Sequence, residues 1–156
     1  MNFFKMAAIA VVVVSSSAMA SDLQFNWGGG GGGNGGGNNG GNNSAPESTL
    51  KVYQNGANNQ ATALQADARK STTDIKQYGS GNFADVGQGA DNAEITLVQK
   101  GVSNSATLDQ WEAKDSTIDV SQYGYRNNAT VNQTAADSSV ELTQIGFGNQ
   151  ANLQQH

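Results

Sequence analysis

Side-chain amides at a fixed spacing are the chemical feature of this chain. Ser, Gln, Asn and Gln recur with five, four and five residues between them. The set appears as Ser48, Gln54, Asn59 and Gln65, and again as Ser71, Gln77, Asn82 and Gln88. It returns as Gln99, Asn104 and Gln110, with Ala93 in the serine place. Two further sets follow, Ser116, Gln122, Asn127 and Gln133, then Ser138, Gln144, Asn149 and Gln155. A carboxamide offers two donors and an acceptor and does not titrate, so its chemistry is hydrogen bonding rather than acid–base work. Groups suited to catalysis are few. His156 is the one histidine and cysteine is absent, which leaves no Cys/His nucleophile pair and no zinc ligand set. Asp115 and Asp119 are near enough in sequence to share a cation, but solvated surface acids are the expectation. The sequence predicts no enzyme, no metal and no cofactor.

The elements that position these amides follow from the same spacing. The sets start at 48, 71, 93, 116 and 138, so the period alternates between 23 and 22. The repeats are 48–65, 71–88, 93–110, 116–133 and 138–155, and the variation in length lies in the connectors. A period in this range marks a repeat architecture. Two more positions are fixed. Gly56, Gly79, Gly101, Gly124 and Gly146 each follow the first Gln by two places. Ala61, Ala84, Ala106, Ala129 and Ala151 each follow the Asn by two.

Apolar residues alternate before the glycine, as Leu50 and Val52, Ile95 and Leu97, Ile118 and Val120, Val140 and Leu142. They alternate after it as well, as Ala84 and Val86 or Ala106 and Leu108. A period of two is the mark of a half-buried strand. Each repeat is therefore predicted as strand, turn and strand, with the glycine in the turn where a positive φ is wanted. The Ser, Gln and Asn positions share parity with the apolar residues and are expected to point inward. One such rung cannot bury its inner face alone; stacked copies can. In register, each inward amide meets an identical amide above and below. The predicted fold is all-β, a solenoid of five stacked rungs that polymerises into cross-β amyloid behind a disordered leader.

Composition sets the context. Of 156 residues, 13% are charged, there is one proline, and the formal charge is −5, or −6 once Lys5 is removed. Clustered Lys and Arg to neutralise phosphates are missing, so no nucleic-acid partner is expected. Without cysteine no disulfide can form, and stability must come from elsewhere. Residues 1–20 read as an export signal. Lys5 precedes an apolar run from Met6 to Val14, too short to span a bilayer, and Ala18-Met19-Ala20 fits a small-x-small cleavage site. Residues 21–43 are rich in Gly and Asn, have little apolar surface to bury, and are expected to be disordered. They read as a linker or as a polar leader for a secretion partner. The amyloid core is placed at 44–156.

A stack has an exposed edge at each end, and bare edges template further strands. Neither end carries a visible capping repeat, which points to head-to-tail polymerisation. Stretches such as Ala84-Asp85-Val86-Gly87-Gln88-Gly89 and Asn104 to Trp111, together with the Ser-Gln-Asn-Gln repeat, give the chain its likeness to a family. It resembles the curlin repeat family, the subunits of enterobacterial curli fibres, over its signal, leader and all five repeats. The resemblance implies export, passage through an outer-membrane curli secretion channel that reads the leader, attendance by periplasmic chaperones, and nucleation at the cell surface by a minor curlin. It implies a secreted homopolymer that serves adhesion, aggregation and biofilm matrix and contacts host matrix proteins. It implies that Gln54, Asn59, Gln65, Gln144, Asn149 and Gln155 of the end repeats steer polymerisation. It also implies that Asp85, Gly87, Asp91 and Asp109 act as gatekeepers which slow it, since charge and missing side chains weaken strand stacking. Ala93 departs from the pattern and predicts one weakened ladder position.

Three other readings compete. A minor nucleating curlin would carry basic residues in its last repeat, whereas here Glu141 is the only charge there. A monomeric solenoid that binds ice would need a regular Thr-x-Thr face. A β-helical enzyme would need a longer chain and a cleft. Tyr78, Tyr123, Tyr125 and Phe147 fall near the turns and are expected to stack along the repeat axis.

Overall fold

The computed structural model describes residues 10–16, 21–27, 48–66 and 69–156. Twelve strands run in chain order. β1 (Ala10–Ser16) and β2 (Ser21–Trp27) precede the repeats. The five rungs are β3 (Ser48–Ala57) with β4 (Asn59–Gln65), β5 (Thr72–Ser80) with β6 (Phe83–Gly89), β7 (Glu94–Val102) with β8 (Ser105–Trp111), β9 (Thr117–Tyr125) with β10 (Asn128–Gln133), and β11 (Ser139–Phe147) with β12 (Gln150–Gln155).

The two strands of a rung go to different sheets. One sheet has the order β1-β4-β6-β8-β10-β12 and the other β11-β9-β7-β5-β3-β2. Within the repeats every pairing is parallel and in register. Gln54 lies beside Gln77, Gln77 beside Gln99, Gln99 beside Gln122, and Gln122 beside Gln144. Parallel neighbours ordinarily need a long crossover. Here each return path is the opposite strand of the same rung, so the chain climbs one strand spacing per repeat. This is a β-solenoid of five turns.

The core lies between the sheets and is asymmetric. Leu50, Val52, Ile75, Ile95, Leu97, Ile118, Val120 and Val140 come from one sheet. They meet Ala61, Ala63, Ala84, Val86, Ala106, Leu108, Ala129 and Val131 from the other. Bulky residues against small ones let the two sheets close on each other. The weak alternation of the second repeat is legible in the packing: Thr73 takes an inward place, and its hydroxyl donates to Gln88 Oε1 at 2.8 Å.

The glycines sit differently from the expectation of a turn position. Each first strand runs through its glycine and one residue beyond, as β3 does through Gly56 to Ala57. The corner is turned two residues after the glycine by Asn58, Gly81, Ser103, Arg126 and Gly148, at φ of 54°, 64°, 58°, 55° and 65°. These left-handed residues also tie the rungs together. The Ser103 and Arg126 amides donate to the Ser80 and Val102 carbonyls of the rung below at 2.9 and 3.0 Å. The glycines have another reason to be glycine. Gly101 has φ 129°, and a Cβ placed on it would run into the carbonyl oxygen of Gly124 in the next rung. The same collision follows at Gly56, Gly79 and Gly124, so the backbones approach closely along one line.

β1 and β2 pair antiparallel to the first rung, β1 on β4 and β2 on β3. Within the segment read as an export signal, Ala10–Ser16 is thus a strand, and Ala18 and Ala20 lie outside the described residues. Within the segment read as a leader without regular structure, Ser21–Trp27 is a strand whose Ser21 lies opposite Gln54 and Trp27 opposite Ser48. Leu23, Phe25 and Trp27 alternate in the sequence, which is the spacing a strand requires. Residues 28–43 of that segment lie outside the described residues.

Gly101→Ala should destabilise the fold by more than about 2 kcal/mol, since a strained φ alone costs on the order of 1–3 kcal/mol. A chemical-denaturation midpoint read by circular dichroism checks this; an unchanged midpoint would mean the glycine line is not closely packed.

Candidate functional site: the buried amide ladders

Three ladders of identical side chains run through the stack. In the first, Gln54 Nε2 donates to Gln77 Oε1 at 2.6 Å, and the Gln77–Gln99, Gln99–Gln122 and Gln122–Gln144 steps are each 2.8 Å. The second Nε2 hydrogen crosses to the other sheet. Gln77, Gln99, Gln122 and Gln144 donate to the carbonyls of Gln60, Phe83, Ser105 and Asn128 at 2.9–3.0 Å. The second ladder repeats the arrangement. Gln65 donates to Gln88 at 2.7 Å, Gln88 to Gln110 at 3.1 Å, Gln110 to Gln133 at 2.8 Å and Gln133 to Gln155 at 3.1 Å.

The asparagine ladder runs the other way. Asn82 and Asn104 donate Nδ2 hydrogens back to Asn59 and Asn82 Oδ1 at 3.1 Å each, and Asn149 donates back to Asn127 at 3.0 Å. The same Oδ1 also accepts a backbone N–H from the asparagine above, as Asn127 N gives to Asn104 Oδ1 at 3.1 Å. In the first four rungs the Asn Nδ2 reaches forward to the glycine line too, as Asn82 to Gly101 O at 3.1 Å and Asn104 to Gly124 O at 3.2 Å. The ladders thus have direction: glutamine donates toward later rungs, and the asparagine amides pass back toward earlier ones.

From Gln54 to Gln133 these residues are essentially without solvent contact apart from Gln65, which keeps 6%. Gln144 keeps 5%, while Asn149 and Gln155 are half-buried at the last rung. The serine positions line a corner. Ser71 and Ser116 hydroxyls donate to the Ala90 and Ala135 carbonyls of the next connector at 2.6 and 3.0 Å. Ser48, Ser71 and Ser116 oxygens accept the N–H of Ser71, Ala93 and Ser138 at 3.4, 3.3 and 3.1 Å. Ala93 offers no hydroxyl to the rung above. It packs instead with Ala90 and Ala113 in a small apolar cluster.

A family model described as a curlin associated repeat matches residues 46–88, 70–101, 90–124 and 113–146. The chain belongs to the curlin repeat family. Among known proteins it is similar to the major curlin subunits of Salmonella typhimurium (strain LT2), Salmonella typhi and Salmonella enteritidis, each 61% identical over 92 residues. The matched segment is 59% of this chain and 58% of each relative's length.

The curlin repeats also carry a feature that repeat spacing had left unread. Gly89 lies in register with Trp111 of the next rung, and Gly87 with Asp109. The indole lies back over both glycines, so that a Cβ on Gly89 would overlap the ring and one on Gly87 would press Asp109 Oδ1 and the indole. Gly87 is therefore the floor of a seat for Trp111. A large residue aligned one rung above two glycines was the signal available in the sequence. Burial raises the Asp109 pKa above the ordinary carboxylate value, the Trp111 hydrogen bond works against that, and the Asp85 charge adds to it. Asp85 is exposed on β6. Asp91 is placed differently from the other acids, with Oδ1 accepting the Arg69 backbone N–H at 2.8 Å. Asp115 lies by Lys114 at 3.5 Å, and His156 Nδ1 is 3.1 Å from Thr134 Oγ1.

The aromatic residues near the corner are organised by the register. Tyr125 and Phe147 stack with centroids 5.3 Å apart. Lys100 Nζ sits between two rings, 5.4 Å from Tyr78 and 5.6 Å from Tyr123, and Arg126 lies 4.7 Å over Tyr125.

Two outcomes are expected. Gln99→Ala should cost about 1–3 kcal/mol, because it orphans the buried donor of Gln77 and the acceptor of Gln122; the denaturation midpoint measures it, and a neutral effect would show that the ladder contributes little. Asp109 has a folded-state pKa above its unfolded one, so the folded state binds more protons in that window and gains stability as pH falls through it. Asp109→Asn should raise the midpoint at neutral pH and remove that part of the acid-side gain; identical pH profiles for the two proteins would contradict the assignment.

Proposed function

We propose that the chain is the major structural subunit of an extracellular curli amyloid fibre, assembling at the cell surface for adhesion, aggregation and biofilm matrix. The observation that carries this reading is that directional, in-register ladders reach strands at the edge of both sheets. β11 and β12 are the last strands in their sheet orders. A second copy placed in register supplies Gln54 to Gln144 and Gln65 to Gln155, and its Asn59 backbone N–H meets Asn149 Oδ1. A reversed copy sets like ends of the ladders against each other, acceptor to acceptor or donor to donor. The ladders therefore favour head-to-tail addition, in which every junction repeats an internal one.

At the other end, cleavage after Ala20 takes β1 away and opens the β4 edge to an incoming β12. β2 remains on the chain beside β3, so addition of β11 there requires β2 to leave. The relatives named as major curlin subunits support a structural role over a catalytic one. In this reading the export channel holds the leader, chaperones keep the monomer open in the periplasm, and a minor curlin supplies the first edge. Asp85, Asp91 and Asp109 slow stacking as charges, while Gly87 acts through Trp111.

The test uses residues 21–156 released from denaturant. Meridional and equatorial reflections near ~4.7 and ~10 Å are the expected result. Paired substitution of Gln144 and Asn149 by Ala should slow elongation several-fold, with the rungs below left intact. A monomer that gives neither reflection would remove the polymer reading.

A further inference from the structure

The outer face of the sheet formed by β3, β5, β7, β9 and β11 has its charges sorted by sign. At the start of the strands, Glu94, Asp119 and Glu141 are exposed and border one shallow groove. Asp119 and Glu141 are register neighbours, and Glu94 lies beside Thr117, two residues before Asp119. No ion pair links these three acids among the described residues. At the corner end of the same strands stand Lys100 and Arg126, both exposed and both held against tyrosine rings rather than carboxylates. Around them lie Val102, Ile145 and Phe147, which are 41, 74 and 70% exposed, the large apolar residues left in solvent among the described residues. The first two rungs are mixed, with Lys51 on the acidic side and Lys76 paired to Asp74 at 2.7 Å. The sorting thus belongs to the last three rungs.

We propose that this face is a lateral interface with a second copy of the chain, related by a two-fold axis parallel to the stack. The proposal rests on the fibre reading. Two such faces can be laid together in two ways. A two-fold axis along the stack exchanges the ends of the strands and keeps the direction of the stack, so the acidic stripe of each copy meets the cationic, aromatic stripe of the other. A two-fold axis along the strands keeps the strand ends in place and reverses the stack, so acids oppose acids. Charge selects the first arrangement, in which paired filaments share one polarity. Sheets packed face to face lie about 10 Å apart, within reach of Lys and Arg across the gap to Glu and Asp. Phe147 and Ile145 leave water as the faces close. Exposed pairs of this kind are screened by salt, with a Debye length of about 3 Å at 1 M.

Fibres of residues 21–156 are grown at about 10 mM and at about 1 M NaCl, where screening differs most, and their width is read by negative-stain microscopy alongside the ~4.7 Å reflection. The expected result is bundles at low salt that separate into single filaments at high salt. Lys100→Glu with Arg126→Glu should give single filaments in both, with the reflection kept. Adding Glu94→Lys, Asp119→Lys and Glu141→Lys to that variant should restore salt-sensitive bundles. Should charge reversal disturb assembly, Lys100→Gln with Arg126→Gln removes the charges with less disturbance and should at least halve the bundle width. Wild-type fibres that stay single at low salt, or variants that bundle as the wild type does, overturn the lateral interface alone. Loss of the reflection from wild type and variants alike overturns the polymer reading, and the interface falls with it.

Discussion

A buried carboxamide must find partners for two N–H groups and one carbonyl oxygen, and the rest of this structure depends on that constraint. An unmet group costs on the order of 1–3 kcal/mol, and each of the first four rungs buries three amides. Inside the rung the core around them is Leu, Ile, Val and Ala, and only a backbone carbonyl or an occasional hydroxyl, as from Thr73 to Gln88, meets part of the need. The side-chain partner that completes each amide is the same residue one strand spacing away. This forces parallel, in-register pairing, and a slip by one residue would turn Gln99 outward and set Val98 in its place. The apolar core supplies the driving force for collapse. The amides decide which collapse is allowed.

The same constraint explains how much could be read from the sequence. The rung boundaries, the five-fold repeat and the inward parity of Gln99 or Asn104 were legible because each is a period, and a period is visible without coordinates. The position of Gly101 within the strand was not, because its role comes from the carbonyl of Gly124 and not from a turn of its own. The serine ladder was legible where serine occurs, yet the reason for Ala93 lay in Ala90 and Ala113, residues of connectors that do not repeat. Trp111 escaped for a related reason. Its meaning is a relation between one rung and the next, large above small, and it appears only when Gly87 and Gly89 are aligned with Asp109 and Trp111. β2 escaped because the polar composition of residues 28–43 overshadowed the alternation of Leu23, Phe25 and Trp27.

Direction is the less obvious property of the ladders. A column of glutamines could in principle donate either way, and a column of asparagines likewise. In this fold the glutamine columns also give a hydrogen to the opposite strand, and the asparagine oxygens also accept the backbone N–H above them. Those second bonds lock each column's sense. Chains of hydrogen bonds with one sense polarise one another, so each added rung strengthens the column it joins. The solenoid consequently has two unlike ends, and extension by a like copy continues both senses at once.

Because the interior is committed to repeating itself, individuality is confined to the outer face and the connectors. The inner positions of rungs two to four are nearly interchangeable, whereas the outer positions hold Asp85, Lys100, Asp109, Trp111 and Arg126 with no common type. Substitution there leaves the register untouched, since the inward amides and apolar residues define it. The outer face is therefore free to take on features that a repeat would forbid, such as an indole resting on two glycines or acids kept to one end of the strands and cations to the other. A fold that fixes its interior by identity gains on its exterior a surface that can vary rung by rung, and any contact beyond the stack has to be made there.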